Sequence, residues 1–176
     1  MADAAPANVI DALNGLLEAE VNSVFRFIAE ASPYLSRATA EVRKPLAACA
    51  DISRRHAREL AHLIGSLGGI AIPRQLPRME DQYLAYLSLK FLLPKLVNEK
   101  QLLIQRYDNA KRAIGPDYPQ AIAALDRIEA EQHHYLDALK KAAYDATNGR
   151  YGRSARDPSG PVKSAPKTSD AGPSAD

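Results

Sequence analysis

Residues 13–27, LNGLLEAEVNSVFRF, place a carboxylate in the middle of an apolar helical stripe. Four apolar residues recur at the spacing of one helix face: Leu13, Leu17, Val24 and Phe27. Glu20 lies among them on the same face. A carboxylate in a protein core is costly, so it is retained where it is paired, protonated or bound to a cation. The stretch therefore predicts a helix whose buried face carries a polar residue near its midpoint.

Three further stretches repeat this pattern of an apolar stripe with a polar interruption. His56 interrupts the second stripe, which is formed by Leu46, Cys49, Leu60, Leu63 and Leu67. Glu99 interrupts the third stripe, which is formed by Leu89, Leu92, Leu96 and Leu103. The fourth stripe, around Ile128 and Leu139, surrounds the run EAEQHH at 129–134. Polar residues on four core-facing stripes indicate one shared interior site.

The apolar period, together with proline and glycine positions, predicts four helices and no sheet. Their predicted bounds are 7–35, 39–67, 82–114 and 118–148. Residues 68–81 contain two prolines and no helical period, and they are too many for a turn between antiparallel neighbours. Such a link returns the chain along the bundle, so the second and third helices should run parallel. The predicted fold class is all-α, a four-helix bundle with one long crossover between helices 2 and 3.

Distances counted along these helices place the polar interruptions at a similar depth. Glu20, His56, Glu99 and Glu131 lie 15, 16, 17 and 14 residues, respectively, from the helix ends near 35, 40, 82 and 117. At about 1.5 Å per residue, they fall within about one helical turn of a common level. The shared depth supports a single site between the helices.

Composition and charge narrow the function classes. The 23 Lys and Arg residues and 21 Asp and Glu residues are interspersed, so no nucleic-acid partner is expected. Cys49 is the single cysteine and is predicted to be a small buried hydrophobe. The start shows no signal peptide and no apolar run reaches about 18 residues, so we expect a cytoplasmic protein without a membrane partner. The bundle should occupy 1–148, followed by a disordered tail rich in Pro, Gly and Ser at 149–176.

Several short motifs resemble the ferritin-like superfamily, which includes bacterioferritins and rubrerythrins, over about residues 8–147. They are LLEAE at 16–20, HARELA at 56–61 ahead of Leu67-Gly68-Gly69, Glu99, and EQHH at 131–134. The resemblance implies a ferritin-like four-helix bundle with a di-iron carboxylate site between its helices. Carried over residue by residue, it implies five metal ligands: Glu20, His56, Glu99, Glu131 and His134. Ser53 stands three residues before His56, where the family pattern has a bridging glutamate, so the ligand set is incomplete.

Two alternatives to these ligands remain open in the sequence. Glu59 and His62 have the spacing of a Glu-x-x-His pair, but His62 points away from the second stripe. In the fourth helix a narrow stripe turns Glu131 inward, whereas its largest apolar residues centre the face near Gln132. In that same helix, Glu129 and His133 form a competing pair.

The resemblance implies one or two iron ions, or manganese in their place, and no haem. It also implies a homodimer or higher homo-oligomer with an oxidoreductase activity of the ferroxidase or peroxidase type. The alternative function is a metal-free bundle that serves as a structural or protein-interaction module. In that case the interior polar groups pair with one another or with cations, for which the sequence offers Arg26, Arg54, Arg55, Lys100 and Arg106.

Overall fold

The computed structural model describes residues 5–31, 40–73 and 79–148. Within these ranges the chain is helical and contains no strand, which confirms the all-α prediction. The helices are α1 Ala7–Val21, α2 Val24–Ala31, α3 Ala40–Ser66, a 3₁₀ helix Met79–Tyr86, α4 Leu89–Ile114 and α5 Pro119–Thr147. The predicted tail at 149–176 lies outside the described residues.

The first predicted helix is interrupted after Val21, so the prediction of one continuous helix is wrong. Asn22 turns the chain, and its side-chain Nδ2 donates to the carbonyl oxygen of Glu18 at 3.0 Å. Arg26 Nη1 donates to the carbonyl oxygen of Val21 at 2.9 Å. The Val21 carbonyl, at the end of α1, thus has a side-chain donor, and the Glu18 carbonyl also accepts from the Asn22 N–H at 3.0 Å. Residues 32–35 of that prediction lie outside the described part of the chain.

The third predicted helix begins later than expected. Residues 82–86 belong to the 3₁₀ helix, and α4 starts at Leu89. The carbonyl oxygen of Ser88 accepts from the backbone N–H groups of Phe91 and Leu92, both at 2.9 Å. The other two long helices lie within one residue of their predicted bounds.

Two apolar clusters at opposite ends of the bundle define the helix directions. The first joins α2, the beginnings of α3 and α4, and the end of α5: Val24, Phe25, Ile28, Val42, Leu46, Cys49, Leu92, Leu93, Leu96 and Leu139. The second joins α1, the ends of α3 and α4, and the beginning of α5: Val9, Leu13, Leu16, Leu17, Leu60, Ile64, Leu103, Tyr107, Ile114, Ala121, Leu125 and Ile128. Helices α3 and α4 therefore run parallel, and α1 and α5 run opposite to them. The end of α3 and the start of α4 therefore lie at opposite ends of the bundle.

The long helices pack in a ring around the interior. Helix α1 contacts α3 and α4, and α5 contacts the same two helices from the other side. Each of the four can therefore present one face to a common centre. No helix in the described ranges is both long and apolar enough to span a membrane.

Asn14 anchors the chain where it leaves α3, and we expect its removal to loosen this connection. Its Nδ2 donates to the carbonyl oxygen of Ile70 at 3.1 Å, and its Oδ1 accepts from the Ile72 N–H at 2.8 Å. Asn14→Ala should lower the free energy of unfolding by about 1–2 kcal/mol, because two hydrogen bonds are lost. Hydrogen exchange at the Ile72 amide should accelerate. Asn109→Ala, on the exposed face of α4, is the control and should leave that amide unchanged.

Candidate interior polar site

A layer of polar side chains separates the two apolar clusters. The buried polar and charged residues are Glu20, Ser23, Ser53, His56, Lys100, Glu129 and Gln132. Four of these, one from each long helix, have no solvent-exposed surface and contact one another: Glu20, His56, Lys100 and Gln132. We call these four residues the interior site.

The inward position of Lys100 follows from the amphipathic face of α4. Leu96 lies four residues before it and Leu103 three residues after it, and both are buried. Tyr107, two turns further on, is fully buried on the same face. Helix α4 therefore presents a lysine, and not Glu99, to the centre of the bundle.

Lys100 orients the amide of Gln132. Its Nζ donates to Gln132 Oε1 in a buried hydrogen bond. Because an ammonium group can only donate, the amide oxygen must face Lys100 and the amide nitrogen must face away. Gln132 Nε2 accordingly donates to Glu20 Oε1 at 2.6 Å and to His56 Nδ1 at 3.1 Å.

The contacts of His56 define its tautomer and lead from the interior to the surface. Since Nδ1 accepts from Gln132, the ring proton is on Nε2, which donates to Glu131 Oε2 at 3.1 Å. Glu131 also pairs with Arg55, and its side chain is 31 % exposed. A continuous hydrogen-bonded path thus joins solvent to Glu20.

Glu20 is the only described carboxylate that is fully buried. Its Oε1 accepts from Gln132 and from the hydroxyl group of Tyr107, which lies at 2.7 Å. Burial raises the pKa of Tyr107 well above its ordinary value, and the charge of Glu20 raises it further. Among the described residues, the second oxygen of Glu20, Oε2, has no hydrogen-bond partner.

The surroundings of Lys100 offset part of the cost of burying its charge. Desolvation lowers the pKa of Lys100, and the carboxylate of Glu20 acts in the opposite direction without restoring the ordinary value. The Nζ atom also lies 4.8 Å from the centroid of the Phe25 ring, within cation–π range. Burial raises the pKa of Cys49 to about 11, so this thiol remains neutral near pH 7. The prediction that Cys49 is buried is confirmed.

The structure brings together three of the five residues that the resemblance assigned to a metal. Glu20 and His56 meet in the interior, and Glu131 contacts the outer nitrogen of His56. Glu99 lies on the flank of α4, where it lines two surface clefts, and His134 is exposed beside a third cleft. Lys100 of α4 and Gln132 of α5 face the interior instead of Glu99 and His134.

In both alternative pairs the histidine is exposed. Glu59 contacts Arg127 at 3.0 Å, and His62 is exposed. Glu129 pairs with Lys111, and the side chain of His133 is 57 % exposed. The fourth helix turns the face centred on Gln132, and not the narrow stripe with Glu131, towards the interior.

The interior donors do not fit a pair of metal dications. They comprise one carboxylate, Glu20, and one imidazole, His56, beside an ammonium group that carries the same sign as a metal ion. Glu20 and Glu131 approach opposite nitrogens of His56, so one ion bound through a single ring nitrogen does not reach both. Ser53 Oγ is engaged with Ser23 Oγ at 3.1 Å. Among the described residues no group of three or more His, Cys, Asp or Glu side chains is arranged to hold a metal.

Comparison with known proteins identifies no family for this chain. No family model matches the chain, and no curated protein or solved structure matches it. The function is therefore inferred from the interior geometry.

The pairing of Glu131 with His56 and Arg55 should make stability depend on acid pH. Burial raises the pKa of Glu131, but the His56 hydrogen bond and the Arg55 charge outweigh it and hold the pKa below its ordinary value of 4.5. This contribution to stability is therefore complete above pH 4.5 and is lost as the pH falls further. The stability difference between the wild type and Glu131→Gln should shrink from about pH 6 to about pH 3 in urea unfolding.

Glu59→Gln is the control for this measurement, because Glu59 contacts Arg55 and Arg127 but does not contact His56. The excess effect of Glu131→Gln over this control gives the part that His56 carries. A difference that stays constant over the whole pH range would contradict the assigned hydrogen bond.

Proposed function

We propose that this chain is a ferritin-like four-helix bundle in which a lysine ammonium takes the place of the metal ions. On this proposal it acts as a metal-independent structural or protein-interaction module. The observation that carries the proposal is the fully buried Lys100, which donates to Gln132 beside Glu20 and His56.

The helix arrangement supports the ferritin-like part of this proposal. Helices α3 and α4 run parallel and are joined by a long return, while α1 and α5 run opposite to them. One interior polar residue comes from each of the four helices, as in a bundle built around a central site.

The charge balance supports the metal-independent part. Lys100 supplies one basic group and Glu20 one acidic group, so each fully buried charge type has a counterpart within the interior site. Two dications would bring four further positive charges into a layer from which the apolar clusters exclude water. Buried charges without nearby counter-charges are strongly unfavourable, so the lysine is the better match for a single carboxylate.

One feature favours a second candidate, in which a single iron or manganese ion supports an oxidoreductase. Glu20 Oε2 is buried and, among the described residues, accepts no hydrogen bond. Glu20 with His56 would then hold the ion, after Gln132 has released His56 Nδ1. The implied iron or manganese stays a prediction that metal analysis can decide.

Metal analysis separates the two candidates. We expect the purified protein to contain metal at background level, to keep its thermal midpoint in EDTA, and to show no oxidation of added Fe(II). Added Fe(II), Mn(II) or Zn(II) should leave the midpoint unchanged, whereas a ligand at a hundred times its Kd stabilises by about 2.7 kcal/mol. About one metal ion per chain, with oxygen-dependent oxidation of Fe(II), would instead establish the second candidate.

Substitution of Lys100 tests the role of its charge. Lys100→Met should lower the free energy of unfolding by about 3–5 kcal/mol, because it leaves a buried carboxylate and amide oxygen uncompensated. Glu20→Gln combined with Lys100→Met should cost less than the sum of the single substitutions, by at least about 1 kcal/mol. The control is Lys140→Met, whose side chain is 50 % exposed on α5. Additive effects in urea unfolding would show that the two charges do not depend on each other.

A further inference from the structure

The outer face of α4 carries two large apolar side chains in line. Phe91 is 62 % exposed and Leu102 is 42 % exposed. They are eleven positions apart, which brings them to within about 20° of each other, three turns apart on the helix. Single exposed apolar residues are common, and these two lie about 16 Å apart along the axis, so they mark the two ends of one exposed face. We call the exposed surface of residues 91–102 the α4 stripe.

Charged residues and surface clefts lie between and beside these two apolar side chains. Lys95 and Glu99 follow Phe91 at successive turns of α4; Lys95 is exposed with its Nζ 5.7 Å from the centroid of the Tyr83 ring, and Glu99 is half-buried. Lys95 lies beside a cleft of about 330 Å³ that also includes Tyr83 and Pro94. A second cleft of about 240 Å³ is lined in part by Glu99 and Leu102. The stripe is therefore not flat, and its two halves differ in charge.

The order of residues along the stripe is self-complementary. It reads apolar, positive, negative, apolar from Phe91 to Leu102. If a second α4 lies antiparallel across a two-fold axis near Val97, Lys95 faces Glu99 of the partner subunit. Phe91 then falls within one residue, about 1.5 Å along the axis, of Leu102 of the partner subunit. In an isologous interface both subunits use the same surface patch, so that patch must be complementary to itself after the two-fold rotation.

We propose that the α4 stripe binds a second copy of this chain, so that two α4 helices pair antiparallel in a two-fold dimer. The apolar residues supply the buried contact, and the Lys95–Glu99 pairs set the register. The inference goes beyond the proposed function and does not depend on it, because no side chain of the interior site lies on this surface. The prediction of background metal content and the prediction of a dimer can thus be contradicted independently of each other.

Charge reversal tests this interface in the full-length chain. Wild type should sediment as a dimer at about 0.1 mM, whereas Lys95→Glu and Glu99→Lys should each weaken association at least about tenfold, because like charges then face each other. An equimolar mixture of the two variants should form a heterodimer, since each reversed charge meets its complement. Isotope labelling of one variant identifies the mixed species in native mass spectrometry.

Matched variants separate the α4 stripe from other surfaces. Phe91→Ser should weaken the dimer, whereas Tyr144→Ser, at an exposed aromatic residue of α5, should leave it intact. Lys140→Glu is the charge control on α5. Circular dichroism confirms that each variant is folded. A wild-type monomer at this concentration, or single variants whose association is unchanged, would overturn the proposal, as would a mixture that fails to restore the dimer.

Discussion

The interior depends on the burial of one positive charge at Lys100. Because its ammonium group only donates, Gln132 must turn its carbonyl oxygen towards it. The amide nitrogen then points at Glu20 and His56, which makes His56 Nδ1 an acceptor and leaves Nε2 to donate to Glu131. Lys100 thereby determines the orientation of the Gln132 amide and the tautomer of His56. It also determines which nitrogen of His56 donates to Glu131.

The charge balance of this layer explains how it tolerates the loss of water. Tyr107 and Cys49 are both held neutral by burial, which raises their pKa values. His56 accepts a hydrogen bond at Nδ1 and donates one at Nε2. Within the interior site, Lys100 supplies the basic group and Glu20 the acidic group. Gln132 links them, so neither charge faces an apolar surface without a polar neighbour.

The sequence predicted the features that follow from helical period and missed those that arise from side-chain contacts. Glu20 and His56 interrupt leucine stripes, and both are buried as that pattern indicates. The break after Val21 was not predicted, because Asn22 and Arg26 stabilise it through hydrogen bonds that leave no periodic signal. The helix directions were predictable, since they follow from the length of the connection between the second and third helices.

Glu99 and Lys100 are neighbours in the sequence but lie on different faces of α4. Which of the two faces the interior decides the chemistry expected there. The two residues are about 100° apart on α4. The centre of the third apolar stripe, formed by Leu89, Leu92, Leu96 and Leu103, lies about midway between them. The other large buried residues of α4 move that centre towards Lys100: Leu93, Ile104 and Tyr107. Tyr107 itself was missed as a site residue, although its place on the same face as Lys100 was readable from the spacing.

The apolar surface of α4 keeps Lys100, and not Glu99, in the interior. A rotation of α4 by about 100° would bring Glu99 inward, but it would carry Leu93 and Ile104 to the surface. Each such side chain loses about 1.5–3 kcal/mol when it leaves the core. The same rotation would turn Lys95 and Arg106, both exposed, towards the core without buried counter-charges. The orientation that excludes Glu99 from the interior thus leaves it half-buried on the flank of α4, one turn after Lys95.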